Sequence, residues 1–126
     1  MSDPAAYLAE VLDRREAAAR KAIDRTGEAS WSADRDGDIV VGEDGADWHL
    51  TTDGSLGQAG EHVAAHDPAW TLRDVAVKRK LLADYWSIGA RARETDDDPT
   101  LITDGRFRVI GTMIRLFAEA EGWTDE

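Results

Sequence analysis

Every proline in this chain follows an aspartate: Asp3-Pro4, Asp67-Pro68 and Asp98-Pro99. An aspartate in front of a helix accepts hydrogen bonds from the unpaired N–H groups of the first turn. Proline at the next position lacks the one donor that would go unused. Each pair precedes a segment with apolar residues at helical spacing, so three helix starts are expected. The first helix is expected over residues 1–27, where Leu8, Val11, Leu12, Ala18, Ala19 and Ala22 form a stripe interrupted by Arg15, and Gly27 ends it. The second pair opens a long helix over 67–94. It carries one stripe of Leu72, Val75, Ala76, Leu82, Ala83 and Trp86 and another of Trp70, Val77, Leu81, Tyr85 and Ile88. The third pair opens a helix over 98–122, whose Val109, Ile110, Met113, Leu116 and Phe117 are expected to pack on the long helix.

Between the first two helices the pattern changes. Residues 31–35 alternate, Asp36-Gly37 offers a tight turn, and Ile39-Val40-Val41 is a β-branched run. Glu43-Asp44-Gly45 offers a second turn before a third run at 48–52. The spacing predicts a three-stranded antiparallel β-meander over 28–53, with Trp31 and Trp48 as anchors for a covering helix. A glycine-rich loop and a short helix over 58–66 follow. The expected fold class is therefore α+β in a single domain, 1–126: a long N-terminal helix, the meander, then one short and two longer packed helices.

The chain has 126 residues, no cysteine and a net charge of −11, which together exclude disulfides, thiol nucleophiles and thiolate metal sites. Residues 28–67 hold ten acids against Arg35 alone, whereas residues 68–94 hold six bases against three acids. A charge of this sign opposes direct nucleic-acid binding, because phosphate repulsion dominates at long range. The opening residues carry an acid where a signal peptide carries positive charge, and no apolar run approaches a membrane span. The expected location is the cytoplasm, with no membrane partner. Abundant Ala, Asp, Gly and Arg, and the absence of Asn, point to a GC-rich genome.

The segment His62–Arg79 contains His62, Ala64, His66, Asp67, Pro68, Ala69, Leu72, Arg73, Val75, Lys78 and Arg79 in a fixed register. It resembles a family of short uncharacterised actinobacterial and actinophage proteins that carry H-I-A-R-H-D-P-A-x-x-L-R-x-V-x-x-K-R. Tyr7-Leu8 is similar to the aromatic-leucine pair of the family's opening helix, while Ser30-Trp31 matches only half of its Pro-Trp. The Tyr and His-Pro ending of the family is not reproduced around Trp123. The resemblance implies an accessory gene of actinobacteria, their prophages or phages, whose products act in the host cytoplasm. It brings no activity and no cofactor.

His62 and His66 stand four residues apart on the short helix, a spacing that can bind a divalent metal if His49 or an acid supplies a third ligand. The glutamate of the zinc-protease motif is missing. The other reading has His66 at the helix end beside Trp70 and His62 against the sheet. Asp67 has a plain role as helix cap. Arg73 is expected to brace the helix junction, and Lys78, Arg79 and Lys80 read as a solvated face. The loop G-S-L-G-Q-A-G lacks the Gly-Lys-Ser/Thr ending of a phosphate loop.

Two surfaces are candidates for a protein partner: the stripe of Trp70, Val77 and Leu81 with Arg73, and the acidic ribbon of Asp34, Asp36, Asp38 and Asp47. The reading these support is a non-enzymatic module that binds a host protein, or a second copy of itself as a homodimer. Three alternatives accompany it: a DNA mimic that occupies a DNA-binding protein with its carboxylates, a small metal-dependent enzyme using His62 and His66, and a virion component.

Overall fold

Two of the three Asp-Pro pairs do start helices. In the structure, a computed structural model that describes residues 3–36, 38–41, 59–94 and 105–125, helix α1 spans Pro4–Thr26. Its cap is Asp3, whose carboxylate accepts the N–H of Ala6 while its carbonyl accepts that of Tyr7. The helix ends at Gly27, which has φ of 78° and donates its N–H to the carbonyl of Ile23, a left-handed stop that glycine adopts without a Cβ penalty. Strands β1 (Trp31–Ala33) and β2 (Ile39–Val41) pair antiparallel, Trp31 opposite Val41 and Ala33 opposite Ile39. Helix α2 spans Ala59–Ala65, α3 spans Pro68–Glu94 and α4 spans Gly105–Ala120. The third expected strand, with Trp48, and the Asp98-Pro99 start lie outside the described residues. The described architecture is thus four helices with a two-stranded antiparallel sheet.

The chain forms two compact units, Arg15–Val75 and Met1–Arg14 with Ala76–Glu126. In the first, α2 packs on both strands. All three residues of β2 are buried rather than alternating, so both faces of that strand are covered. Arg15, which breaks the apolar stripe of α1, has a partner in this unit: its guanidinium lies 3.0 Å from the Asp74 carboxylate, both half-buried.

In the second unit, Leu8, Leu12, Leu82 and Ile114 are the largest fully buried side chains. Helix α4 buries Ile110, Ile114 and Ala118 and leaves Val109, Met113 and Leu116 exposed, so the packing face is rotated from the one expected. The i, i+4, i+8 set includes small Ala118, and Gly111 lies close enough to Tyr85 that an added Cβ would be in van der Waals contact with its ring. Small residues let α4 approach closely along this line, which the bulkier Val109 and Met113 side would not. On α3 the buried residues Val75, Leu82 and Ile88 come from both expected stripes, and Trp86 is exposed. The unit closes on a Schellman turn. Gly122, with φ of 100°, donates to the Glu119 carbonyl, and Trp123 donates to that of Ala118 and buries its own ring. Tyr7 donates its hydroxyl to the carbonyl of Glu121 at 2.9 Å, tying α1 to this turn. No helix among the described residues is long and apolar enough to cross a membrane.

Candidate functional site

In the unit Arg15–Val75, the junction between α2 and α3 gathers the histidines and Asp67. One Asp67 oxygen accepts the N–H of Trp70 at 2.8 Å, which caps α3. The other accepts the N–H of Trp31 at 2.9 Å, which holds the start of β1. A third link, from the N–H of Ala69 to the carbonyl of Ala29, completes the seam between helix and strand. Asp67 is buried, both of its oxygens are engaged by backbone, and its role is structural.

His66 donates its Nδ1 proton to the carbonyl of His62 at 2.9 Å, at the frayed end of α2 where that carbonyl lacks a helical partner. Its ring meets Trp70 edge-on at 4.5 Å. His62 is exposed, with its ring 4.6 Å from that of His66 and tilted 46° to it, so the reading that put it against the sheet does not hold. The metal reading needs a third ligand, and among the described residues no carboxylate or imidazole joins these two in a set of three; His49 lies outside them. Arg73 is exposed and makes no hydrogen bond or ion pair among the described residues, so it does not brace the junction there.

The acidic ribbon is a turn. Asp34 accepts the N–H groups of Asp36 and Asp38 on one oxygen and donates its own N–H to the carbonyl of Asp38. The carboxylates of Asp34, Asp36 and Asp38 lie within 4.8 Å of one another, the mark of three acids that could hold a cation. The turn itself explains the cluster, because an aspartate at its first position satisfies the N–H groups that the bend exposes. Asp38 is only 6% exposed, whereas Asp34 and Asp36 reach solvent; Asp47 is outside the described residues.

The second unit holds a different kind of site, whose two walls the sequence placed on neighbouring helices without showing that the space between them stays open. Helices α3 and α4 enclose an open groove of about 210 Å³ lined by Val77, Leu81, Met113 and Phe117, with Lys78, Lys80 and Asp84 at its edges. Val77 is 69% exposed, and along α4 the neighbouring Val109 and Leu116 are 59% and 58% exposed. Residues 109, 113 and 116 are spaced i, i+4, i+7, so they form one continuous strip. Lys78 places its ammonium 4.9 Å from the centre of the Phe117 ring, a cation–π contact that fixes the lysine over the groove. Of the expected stripe, Val77 and Leu81 line this groove, while Trp70 and Arg73 belong to the other unit.

The opposite side of α4 carries a shallower depression lined by Tyr85, Phe107, Arg108 and Arg115. Tyr85 stacks on Phe107 at 5.1 Å, 13° from parallel. Arg115 is committed: the hydrogen bond it donates to the Glu119 carboxylate, then the charge of Asp125, hold its guanidinium above its ordinary pKa. Met113 and Phe117, expected from spacing to lie on the long helix, do meet Val77 and Leu81, but in an open groove rather than a closed core.

No curated protein and no solved structure gives a match to the chain. The sequence profile of a family of unknown function, DUF6221, spans residues 1–120, and the chain belongs to that family.

Proposed function

We propose that the protein is a non-enzymatic binding module that engages a partner protein through the groove between α3 and α4. The observation that carries this reading is the continuous apolar surface of Val77, Leu81, Met113 and Phe117, extended by Val109 and Leu116. Single exposed apolar residues are ordinary, but a contiguous strip beside a concave floor is the form of an interaction site. Covering the exposed part of one such side chain contributes about 1–2 kcal/mol, so a handful supplies a micromolar contact. The setting that goes with this reading is the cytoplasm of an actinobacterium, with the gene carried by the host, a prophage or a phage.

The acidic turn supports DNA mimicry less well. A mimic needs several carboxylates free to face outward, and one oxygen of Asp34 is taken up by N–H groups of the turn while the Asp38 side chain is buried. The histidine pair supports a metal enzyme less well for want of a third ligand among the described residues.

The test is a pair of charge insertions, Met113→Glu and Leu116→Glu, made separately in the full chain. Both positions are exposed, so each variant is expected to keep its helical circular dichroism and melt within a few degrees of the parent. Capture of the partner from an actinobacterial lysate is expected to fall at least about tenfold for both. A partner retained equally by both folded variants would remove the groove as its site.

A further inference from the structure

We propose that the groove takes an acidic amphipathic helix of the partner, its apolar face on Leu81, Met113 and Phe117 and its carboxylates toward Lys78 and Lys80. This deepens the reading of the groove as a protein-binding site and rests on it.

The first ground is shape. Two neighbouring helices with an apolar floor form the trough into which a third helix lays a row of side chains at i, i+4 and i+7. The exposed strip of Val109, Met113 and Leu116 has the same spacing along α4, and Val109 lengthens that trough by about one turn.

The second ground is charge. The whole chain is at −11, yet residues 76–93 and 105–118 together hold eight lysines and arginines against Asp84 alone. Some of these are occupied within the fold: Arg79 pairs with Asp13 at 2.7 Å, and Arg115 pairs with Glu119 and Asp125. Lys80 makes no ion pair among the described residues and stands on the groove's edge. Lys78, which also lines the groove, keeps its ammonium 4.9 Å from the centre of the Phe117 ring and so adds positive charge beside the apolar floor. Cations at the rim of an apolar trough select carboxylates flanking the apolar face of the occupant, and they repel a basic helix.

Other occupants fit less well. Nucleic acid would satisfy the lysines but leave the apolar strip uncovered, and it would meet the field of a strongly acidic chain. A second copy meeting this face in a two-fold arrangement would bring two lysine-rimmed grooves together, with Asp84 the single acid on each.

The experiment uses the full chain as bait for a displayed library of helical peptides about four turns long. Leucine is fixed at i, i+4, i+7 and i+11, and the remaining positions are drawn from Glu, Lys, Gln, Ala and Ser. Folded Met113→Glu protein serves for counter-selection. Enriched peptides are expected to be acidic, with glutamate exceeding lysine several-fold at the fixed helix's flanks. A fluorescein-labelled winner is expected to bind at least about tenfold more weakly to Met113→Glu and several-fold more weakly to a Lys78→Gln, Lys80→Gln double variant, and to weaken further as salt is raised. The double variant removes two exposed or half-exposed charges without touching the core, so it reads the charge claim even if Met113→Glu fails to fold.

Basic or uncharged winners, no enrichment over the counter-selection, or binding indifferent to the lysine changes would each overturn the proposal. So would a dimer in sedimentation velocity that Met113→Glu converts to monomer, because a second copy would then fill the groove. If lysate capture depends on Met113 and Leu116 while no acidic peptide is enriched, the groove remains a protein site and the acidic-helix assignment alone fails.

Discussion

Replacing Asp67 by alanine removes two hydrogen bonds with different consequences. The bond to the N–H of Trp70 is an ordinary helix cap, and its loss costs about 1 kcal/mol. The bond to the N–H of Trp31 is made to a carboxylate inside the seam between α3 and β1, where Asp67 is buried. A buried backbone donor left without its acceptor costs about 1–3 kcal/mol. The two together come to about 2–4 kcal/mol, or a fall in Tm of roughly 10 °C for a chain of this length. Asparagine separates the two contributions. It keeps one acceptor oxygen, but its amide N–H2 then faces one of the two backbone donors, so about half of the alanine loss is expected. Urea unfolding followed by tryptophan fluorescence measures both values. Hydrogen exchange at the Trp31 amide is expected to quicken in Asp67→Ala well before α1 loses protection. An alanine variant within about 0.5 kcal/mol of the parent would refute the two-armed account of Asp67, and so would asparagine proving as costly as alanine.

Two further substitutions probe the backbone and the buried indole. The Nε1–H of Trp31 is buried and finds no acceptor among the described residues, so Trp31→Phe trades lost area against an unpaired donor and is expected to fall within about 1 kcal/mol of the parent in urea melts, where a well-bonded buried tryptophan would lose far more. Gly122→Ala places a Cβ 3.3 Å from the Tyr7 hydroxyl at a φ of 100°, whereas Gly27→Ala, at φ of 78°, meets open space. Both are expected to destabilise, Gly27→Ala by about 1 kcal/mol and Gly122→Ala by more, because the Tyr7 bond to Glu121 must shift as well.

The helix ends were legible because they are set by local chemistry. Asp-Pro and Gly27 fix α1 at Pro4–Thr26, and Asp67-Pro68 fixes the start of α3, whatever the rest of the chain does. The face that a helix buries is set by its neighbours, and there periodicity misled. Helix α4 carries a broad apolar arc, Val109, Ile110, Met113, Ile114, Leu116 and Phe117, so spacing alone does not choose between two overlapping stripes within it. Helix α3 contributes turns to both compact units, so its buried residues follow neither single stripe. The acidic ribbon shows the reverse case. Asp34, Asp36 and Asp38 were conspicuous as charge, but the same residues are the chemistry of a turn, and only the hydrogen bonds on Asp34 distinguish the two roles. The candidate groove was half legible: spacing put Met113 and Phe117 against the long helix that carries Val77 and Leu81, but it did not show that the contact is an open groove rather than a filled core.

The rotated face of α4 is what gives the groove its meaning. Ile110, Ile114 and Ala118 already fill the buried side of the helix, so folding places no demand on Val109, Met113 or Leu116. Polar residues at these positions would keep the helix and its contacts, and a chain so rich in aspartate and glutamate is not short of them. Exposed aliphatic residues favour non-specific association, which the high net charge opposes by mutual repulsion between copies. That repulsion acts over the whole molecule, whereas the lysines act at the groove's edge. A surface kept soluble at long range and attractive to carboxylates at short range therefore discriminates among partners rather than merely being sticky. It favours those that bring both an apolar face and a local acidic border.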